Sequence, residues 1–496
     1  MKYAGTSGDD WHKIDTAISA NHPLVQSLFT SMADVEMRMM TFGDTHSPQQ
    51  ALFLYSLGMI NMESLNRDVL PNLHLYFLEH KERLSARILE ATLPVSLQAV
   101  ELYHEPLVTH VFRGMLVIFF DGVDAAFVLD ISQPPVRQPE EPGTEISVYG
   151  PKDGLVEEVT ANIALVRKRL PTNSLSVQMF SVGERTHTAV ALLYINDVID
   201  ADLLLEVQRR ISLIQIDGLY ASAQLEELLT TKKNRLVPLF ALSGRPDFIA
   251  GSLLRGRFAI LVDGTPSAVL GPTNLAFLFQ SGEDEYMLSS FLVLQRALRY
   301  FGMILGLILP GLYIAIVSYH IDRIPLILLG TFITSHRGVP FTTPQETMMM
   351  LLLFEMLREA GNRLPGGLGQ TLAVVGGLII GEAAIEAGLT SPTVLVITGA
   401  TAVASFTISY LALAGAITLF RIFIVILASI FGEYGFVIGL FAVIVYLSNV
   451  RSFGVPFLAP LSPFRRRDIT YAFNSATANQ PRKRPTILRT KDNSRG

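Results

Sequence analysis

The chain has 496 residues, half of them hydrophobic and 17% charged, with a mean hydropathy of +0.39. It is too apolar to be soluble throughout or disordered, and without a single Cys it can form no disulfide scaffold, thiol nucleophile or iron–sulfur cluster. The net charge of −5 hides a segregation into an acidic soluble part, a membrane part and a basic tail. Residues 1–300 carry 24 basic against 35 acidic residues, residues 301–450 five against seven, and residues 451–496 ten against two.

The start, from Met1 to Trp11, lacks the apolar core of a secretory signal. A large first domain is therefore expected to stay on the side where it is made. Residues 1–100 read as helical, with apolar residues at three- and four-residue spacing in Gln50–Ile60 and Leu73–Ala91. Strand signals begin at Val108. Met115–Phe120 meets Asp121-Gly122, then Ala125–Leu129 follows, which is a hairpin pattern. The same spacing returns 142 residues later: Arg113-Gly114, Asp121-Gly122 and Ala126 match Arg255-Gly256, Asp263-Gly264 and Ala268. This suggests paired structural elements. Gln133–Pro142 is Pro-rich and reads as a linker or exposed loop. After it, helices over Asp153–Leu170 and Ala201–Ile214 flank strands over Leu175–Val182 and Thr188–Ile195.

Tyr300–Ile321 is uncharged and long enough to cross about 30 Å of hydrocarbon. Ile324–His336 is uncharged but short, a weak second span. Further spans are expected near 370–388, 392–409, 411–431 and 434–450, six crossings in all. The arginines Arg296, Arg299, Arg337, Arg358, Arg363, Arg451 and Arg465–Arg467 then lie inside, with Arg323 alone outside, and both termini are cytoplasmic. The expected architecture is an α+β soluble region of two subdomains (1–140 and 141–295, with a hairpin near 255–270). An all-α multi-pass membrane domain (296–451) and a basic cytoplasmic tail (452–496) follow.

Charged residues in apolar segments are the functional candidates. Glu355, Arg358, Glu359 and Asn362 share one helix face and either lie on the cytoplasmic membrane surface or line a water-filled vestibule. Glu359 can also pair with Arg363. Glu382 and Glu386, one turn apart, end an apolar run. Such carboxylates face a cavity or a partner, and Arg421 is a candidate partner for Glu382. Gly377 and Gly381 permit close helix packing or a pore constriction. His320 and His336 read as interfacial. No P-loop, HExxH or GxSxG motif occurs, so no enzymatic activity, metal or cofactor is expected. The basic tail suits anionic lipid rather than nucleic acid.

Several motifs together resemble the A subunit of the GerA family of spore germination proteins, over about residues 110–464. They are Val148–Asn162 through Arg167-Lys-Arg, Arg245-Pro-Asp247, Gly338–Phe341, Leu357–Pro365, Leu368–Thr371, Arg451–Phe457 and Ala459-Pro460. The resemblance implies a multi-pass protein of the spore inner membrane that works with a transporter-like B subunit and a lipoprotein C subunit. It also implies a homo-oligomeric ring around a cation-conducting pore. A related branch, similar to the A subunit of the spoVA operon, lacks those partners. The alternative is a non-conducting scaffold that anchors partner proteins.

Overall fold

The computed structural model describes residues 14–43, 48–79, 98–100, 104–135, 150–230, 235–362, 368–473 and 484–492. The chain divides into two compact units. One comprises residues 1–233, 240–272 and 481–496; the other comprises residues 234–239 and 273–480.

The first unit holds two five-stranded antiparallel sheets. Strands β1 (Val35–Phe42), β2 (Gln49–Ser56), β3 (Gln98–Val100), β4 (Met115–Phe120) and β5 (Ala126–Asp130) form one sheet, in the order β1-β2-β4-β5-β3. Strands β6 (Leu175–Val182), β7 (Thr188–Ile195), β8 (Ala241–Ser243), β9 (Phe258–Val262) and β10 (Ala268–Gly271) form the other, in the order β6-β7-β9-β10-β8. The two orders are the same, counted from each sheet's first strand, so the subdomains repeat one topology. Helices α1 (Ile18–Leu28), α2 (Leu70–Glu79) and α3 (His104–Phe112) accompany the first sheet. The second has α4 (Val159–Arg169), α5 (Ala201–Ser212), α6 (Ser222–Leu229) and α7 (Pro246–Leu254).

Residues 35–56, expected as helix, are instead the hairpin β1–β2, in register from Val35↔Ser56 to Phe42↔Gln49. The physical reason is double burial. In β2, Ala51, Phe53 and Tyr55 enter one core while Leu52 and Leu54 enter the core on the opposite face. A strand covered on both faces reads as a continuous apolar run, without the alternation that separates strand from helix. Part of the expected Leu73–Ala91 helix is α2; residues 80–97 and most of the Pro-rich stretch lie outside the described residues.

The Asp-Gly repeat has a common geometry in both subdomains. Asp121 Oδ1 accepts from Ile18 N at 3.1 Å and Gly122 N donates to Thr16 O at 2.7 Å. Asp263 Oδ1 accepts from Val159 N at 3.0 Å and Gly264 N donates to Glu157 O at 2.7 Å. Each Asp thus caps the helix that packs on its sheet, and each Gly takes the positive φ of the turn, +88° and +82°. The repeat extends to Asn21 and Asn162, whose amides bond the backbone of Asp15 and Val156 in the same way.

Asp34 and Arg167 join the subdomains. The buried guanidinium donates to both Asp34 oxygens at 2.8 Å and to the carbonyls of Thr172 and Leu175, and lies 4.1 Å from the Phe112 ring centroid. Beside them, Ala33 N donates to Val177 O and Val177 N to Ser31 O. Residues 484–492 of the tail also pack on this unit: Arg484 Nε donates to Leu254 O at 2.9 Å and Lys491 N to Val198 O at 3.0 Å.

The second unit is a helix bundle. It comprises α8 (Ser289–Tyr319), α9 (Leu326–Ser335), α10 (Thr343–Asn362), α11 (Leu368–Glu386), α12 (Pro392–Phe406), α13 (Leu411–Asn449) and α14 (Arg466–Phe473). Two of these, α8 and α13, are apolar and long enough to cross a membrane. At the base of α8, Arg296 and Arg299 both pair with the buried Asp284, and Arg296 also donates to Ala472 O. Helix α13 reverses at Gly432 (φ 62°, ψ −135°), so that 433–449 returns along 411–431 and Tyr446 meets Phe420 with ring centroids 5.7 Å apart.

Helix α9, expected as the second crossing, has ten residues. At 1.5 Å per residue it spans about 15 Å, half the hydrocarbon thickness. The 20-residue α10, which carries the Glu355 stripe, is built into the bundle, with Glu346, Thr347, Met350 and Leu351 buried.

Candidate functional site

The helix contacts define two ends of the bundle. Gly302 and Gly306 of α8 lie against Thr407 and Ser405, whereas Tyr313 reaches Thr393, so α8 and α12 run antiparallel. Tyr319 OH donates to Ser429 O, and Glu433 pairs with Arg323 at 2.7 Å and lies 3.5 Å from His320. The near end therefore gathers the starts of α8 and α13 and the end of α12. The far end gathers the end of α8, the start of α12 and the turn at Gly432.

Toward the near end lies a buried charged cluster. Arg421 Nη2 donates to Ser405 Oγ at 3.1 Å and to Thr418 Oγ1 at 3.0 Å, and Arg358 Nη2 reaches Thr418 at 3.4 Å while pairing with Glu355. Leu351, Phe354 and Thr398 complete the walls of this small enclosed cavity. Two arginines and one carboxylate leave one excess positive charge, and buried Arg421 Nε and Arg358 Nη1 have no hydrogen-bond partner. Arg421 is thus held by Ser405 of α12 and by Thr418 of its own helix, and Arg358 of α10 reaches the same Thr418 hydroxyl. The expected pairing with Glu382 is not formed, because Glu382 is on the exposed face of α11.

Of the stripe on α10, Glu355 and Arg358 turn into the bundle, while Glu359 is exposed. The side chain of Asn362 and all of Arg363 lie outside the described residues. On α11, Gly377 and Gly381 face inward. A Cβ on Gly377 would lie 3.1 Å from Phe354, and one on Gly381 would lie 2.8 Å from Leu395, so both positions admit a neighbouring side chain. Glu382 and Glu386 are exposed one turn apart at the far end, beside exposed Ile379. Among the described residues neither carboxylate has an ion-pair partner.

Sequence reasoning missed a second polar group at the far end, around Glu346. Its carboxylate is fully buried, with Oε2 accepting from Ser391 N at 3.0 Å. The available signals were the acid in the first turn of α10 and the Ser-Pro start of α12, where Ser391 is the N-cap.

The model of the Bacillus/Clostridium GerA spore germination protein family matches residues 24–487. Spore germination protein XA of Bacillus anthracis is 36% identical over 483 residues, which is 96% of this chain and 97% of that protein. Spore germination protein KA of Bacillus subtilis (strain 168) is 33% identical over 462 residues, 93% of this chain and 85% of that protein. The crystal structure of the N-terminal domain of the A subunit of the Bacillus megaterium spore germinant receptor GerK3 aligns with a TM-score of 0.37 at 23% identity, covering 53% of this chain and 98% of that domain. On the match along nearly its whole length, the chain belongs to the GerA family of spore germination proteins.

Proposed function

We propose that this protein is the A-type subunit of a germination complex in the spore inner membrane, and that several copies form a cation-conducting pore. The observation that carries this reading is the exposure of Glu382 and Glu386 on a helix that has no other charged residue. A carboxylate facing lipid is costly, so these two face water or another subunit. A ring of them around a symmetry axis would attract cations and repel anions at the far-end mouth. Glu359 would serve the near-end mouth, while Glu355, Arg358 and Arg421 hold three helices together.

The crossings in this reading are α8, α10, α11, α12 and the two halves of α13. Their exposed apolar side chains, such as Leu352, Val396, Val403 and Phe441, would face lipid. Six crossings keep the soluble unit and the tail on the cytoplasmic side. Helix α9 stays at the far end, and Arg337 joins Arg323 outside. A transporter-like B subunit and a lipoprotein C subunit are the partners that family membership suggests, and anionic lipid is a further contact for the tail.

Reconstitution of the purified chain in lipid bilayers, alone and with the two partner proteins, tests this reading by conductance recording. The expected result is a cation-selective current. Assembly with partners but no current under any combination would instead support the non-conducting scaffold.

A further inference from the structure

Glu346 is the only acid buried to 0% in the helix bundle among the described residues, and its Oε1 has no hydrogen-bond partner. Three other helices supply hydroxyls beside it. From α12 come Ser391 and Thr393, with hydroxyls 3.2 Å apart; Tyr313 of α8 and Ser335 of α9 bring theirs to 3.2 and 3.3 Å from Thr393 Oγ1. His336, just after α9, closes the group with Nε2 3.8 Å from Glu346 Oε1 and 3.5 Å from Ser391 Oγ. Its side chain is 23% exposed and forms the lid toward solvent.

The spacing is informative. Hydroxyl hydrogen bonds span about 2.5–3.0 Å and cluster near 2.7–2.8 Å, and these oxygens stand farther apart. Oxygens about 2.4 Å from a common hard cation, at right angles to each other, stand about 3.4 Å apart. Carboxylate and hydroxyl oxygens are ligands for hard cations, and a single buried carboxylate neutralises a single positive charge. We propose that Glu346, Ser391 and Thr393, with Tyr313 and Ser335 behind them, bind one monovalent alkali cation, with His336 covering the site. The site lies within one chain, so it stands apart from the pore reading, and binding can be measured where no current flows.

The test uses the full chain in detergent at pH 7.5 and constant ionic strength. Thermal stability is compared in sodium, potassium and choline chloride, and equilibrium binding of sodium-22 is measured in parallel. The expected result is a saturable upward shift of Tm in sodium over choline, with about one sodium bound per chain. Glu346→Gln should abolish both. Thr393→Val, which keeps the side-chain shape, should weaken binding at least tenfold, and it decides the matter if Glu346→Gln fails to fold. Equal stability in choline and sodium salts with no saturable sodium binding would overturn the proposal. So would unchanged sodium affinity in Thr393→Val. A wild type insensitive to alkali ions, in which His336→Gln loses as much stability as Glu346→Gln, would show instead that an imidazolium partners the carboxylate.

Discussion

Arg167 shows how much one side chain can hold. It is buried completely, and every interaction that offsets its lost hydration comes from fixed groups: Asp34, two carbonyls and the Phe112 ring. Burial lowers its pKa below the ordinary arginine value against the opposing pull of Asp34. Removing one partner of such a pair costs about 3–5 kcal/mol, because the other charge remains buried. Arg167→Met should therefore lower the unfolding free energy by about that amount in denaturant titration, and Asp34→Leu in the same chain should restore part of it. Glu226 makes a second residue-scale case. Burial raises its pKa to about 7 from 4.5, despite a hydrogen bond from the Phe240 backbone. The folded state then holds the proton more tightly than the unfolded state, so stability is highest below about pH 4.5 from this group and declines as pH rises to about 7. Glu226→Gln should remove that decline, and should leave Tm higher than wild type above pH 7.

Each Asp-Gly hairpin is also a helix cap, which makes the element the natural unit for comparing the two subdomains. Losing a cap costs about 1 kcal/mol, up to about 2. Asp263→Ala and Asp121→Ala should each destabilise by that amount in equilibrium unfolding, because the bonds to Val159 and Ile18 are equivalent. The identical spacing was legible in the sequence, since Asp and Gly carry a distinctive turn chemistry. Its partner helices were not legible as partners, because the capping contacts span 103 and 104 residues. The β1–β2 hairpin was hidden by its own burial. The difference between the expected crossing at 324–336 and the proposed one at α10 has a similar origin. Helix α9 is more apolar than α10, but hydropathy does not weigh the polar face of α10, where Arg358 pairs with Glu355 and reaches Thr418 and Glu346 accepts from Ser391. Glu346 escaped notice for the same reason: an acid in a helix first turn reads as an ordinary N-terminal charge until the second helix terminus is seen to meet it.

At the scale of the whole molecule, the proposed crossings can be separated from the alternative by one loop. If α10 crosses, Val339 is outside; if 324–336 crosses, Val339 is inside. The chain contains no Cys, so Val339→Cys and Ser462→Cys can be labelled one at a time in intact cells with a membrane-impermeant maleimide. Labelling is expected at Val339→Cys and not at Ser462→Cys, and the reverse would reject the arrangement.

If the exposed carboxylates on α11 select cations in an oligomeric pore, the reversal potential across a salt gradient in bilayers containing the reconstituted protein reports it. Wild type should be cation-selective. Glu382→Gln with Glu386→Gln should keep its conductance but lose most of that selectivity, while Glu359→Gln changes it less. Selectivity unchanged in the Glu382→Gln, Glu386→Gln double variant, at normal protein levels, would contradict the claim.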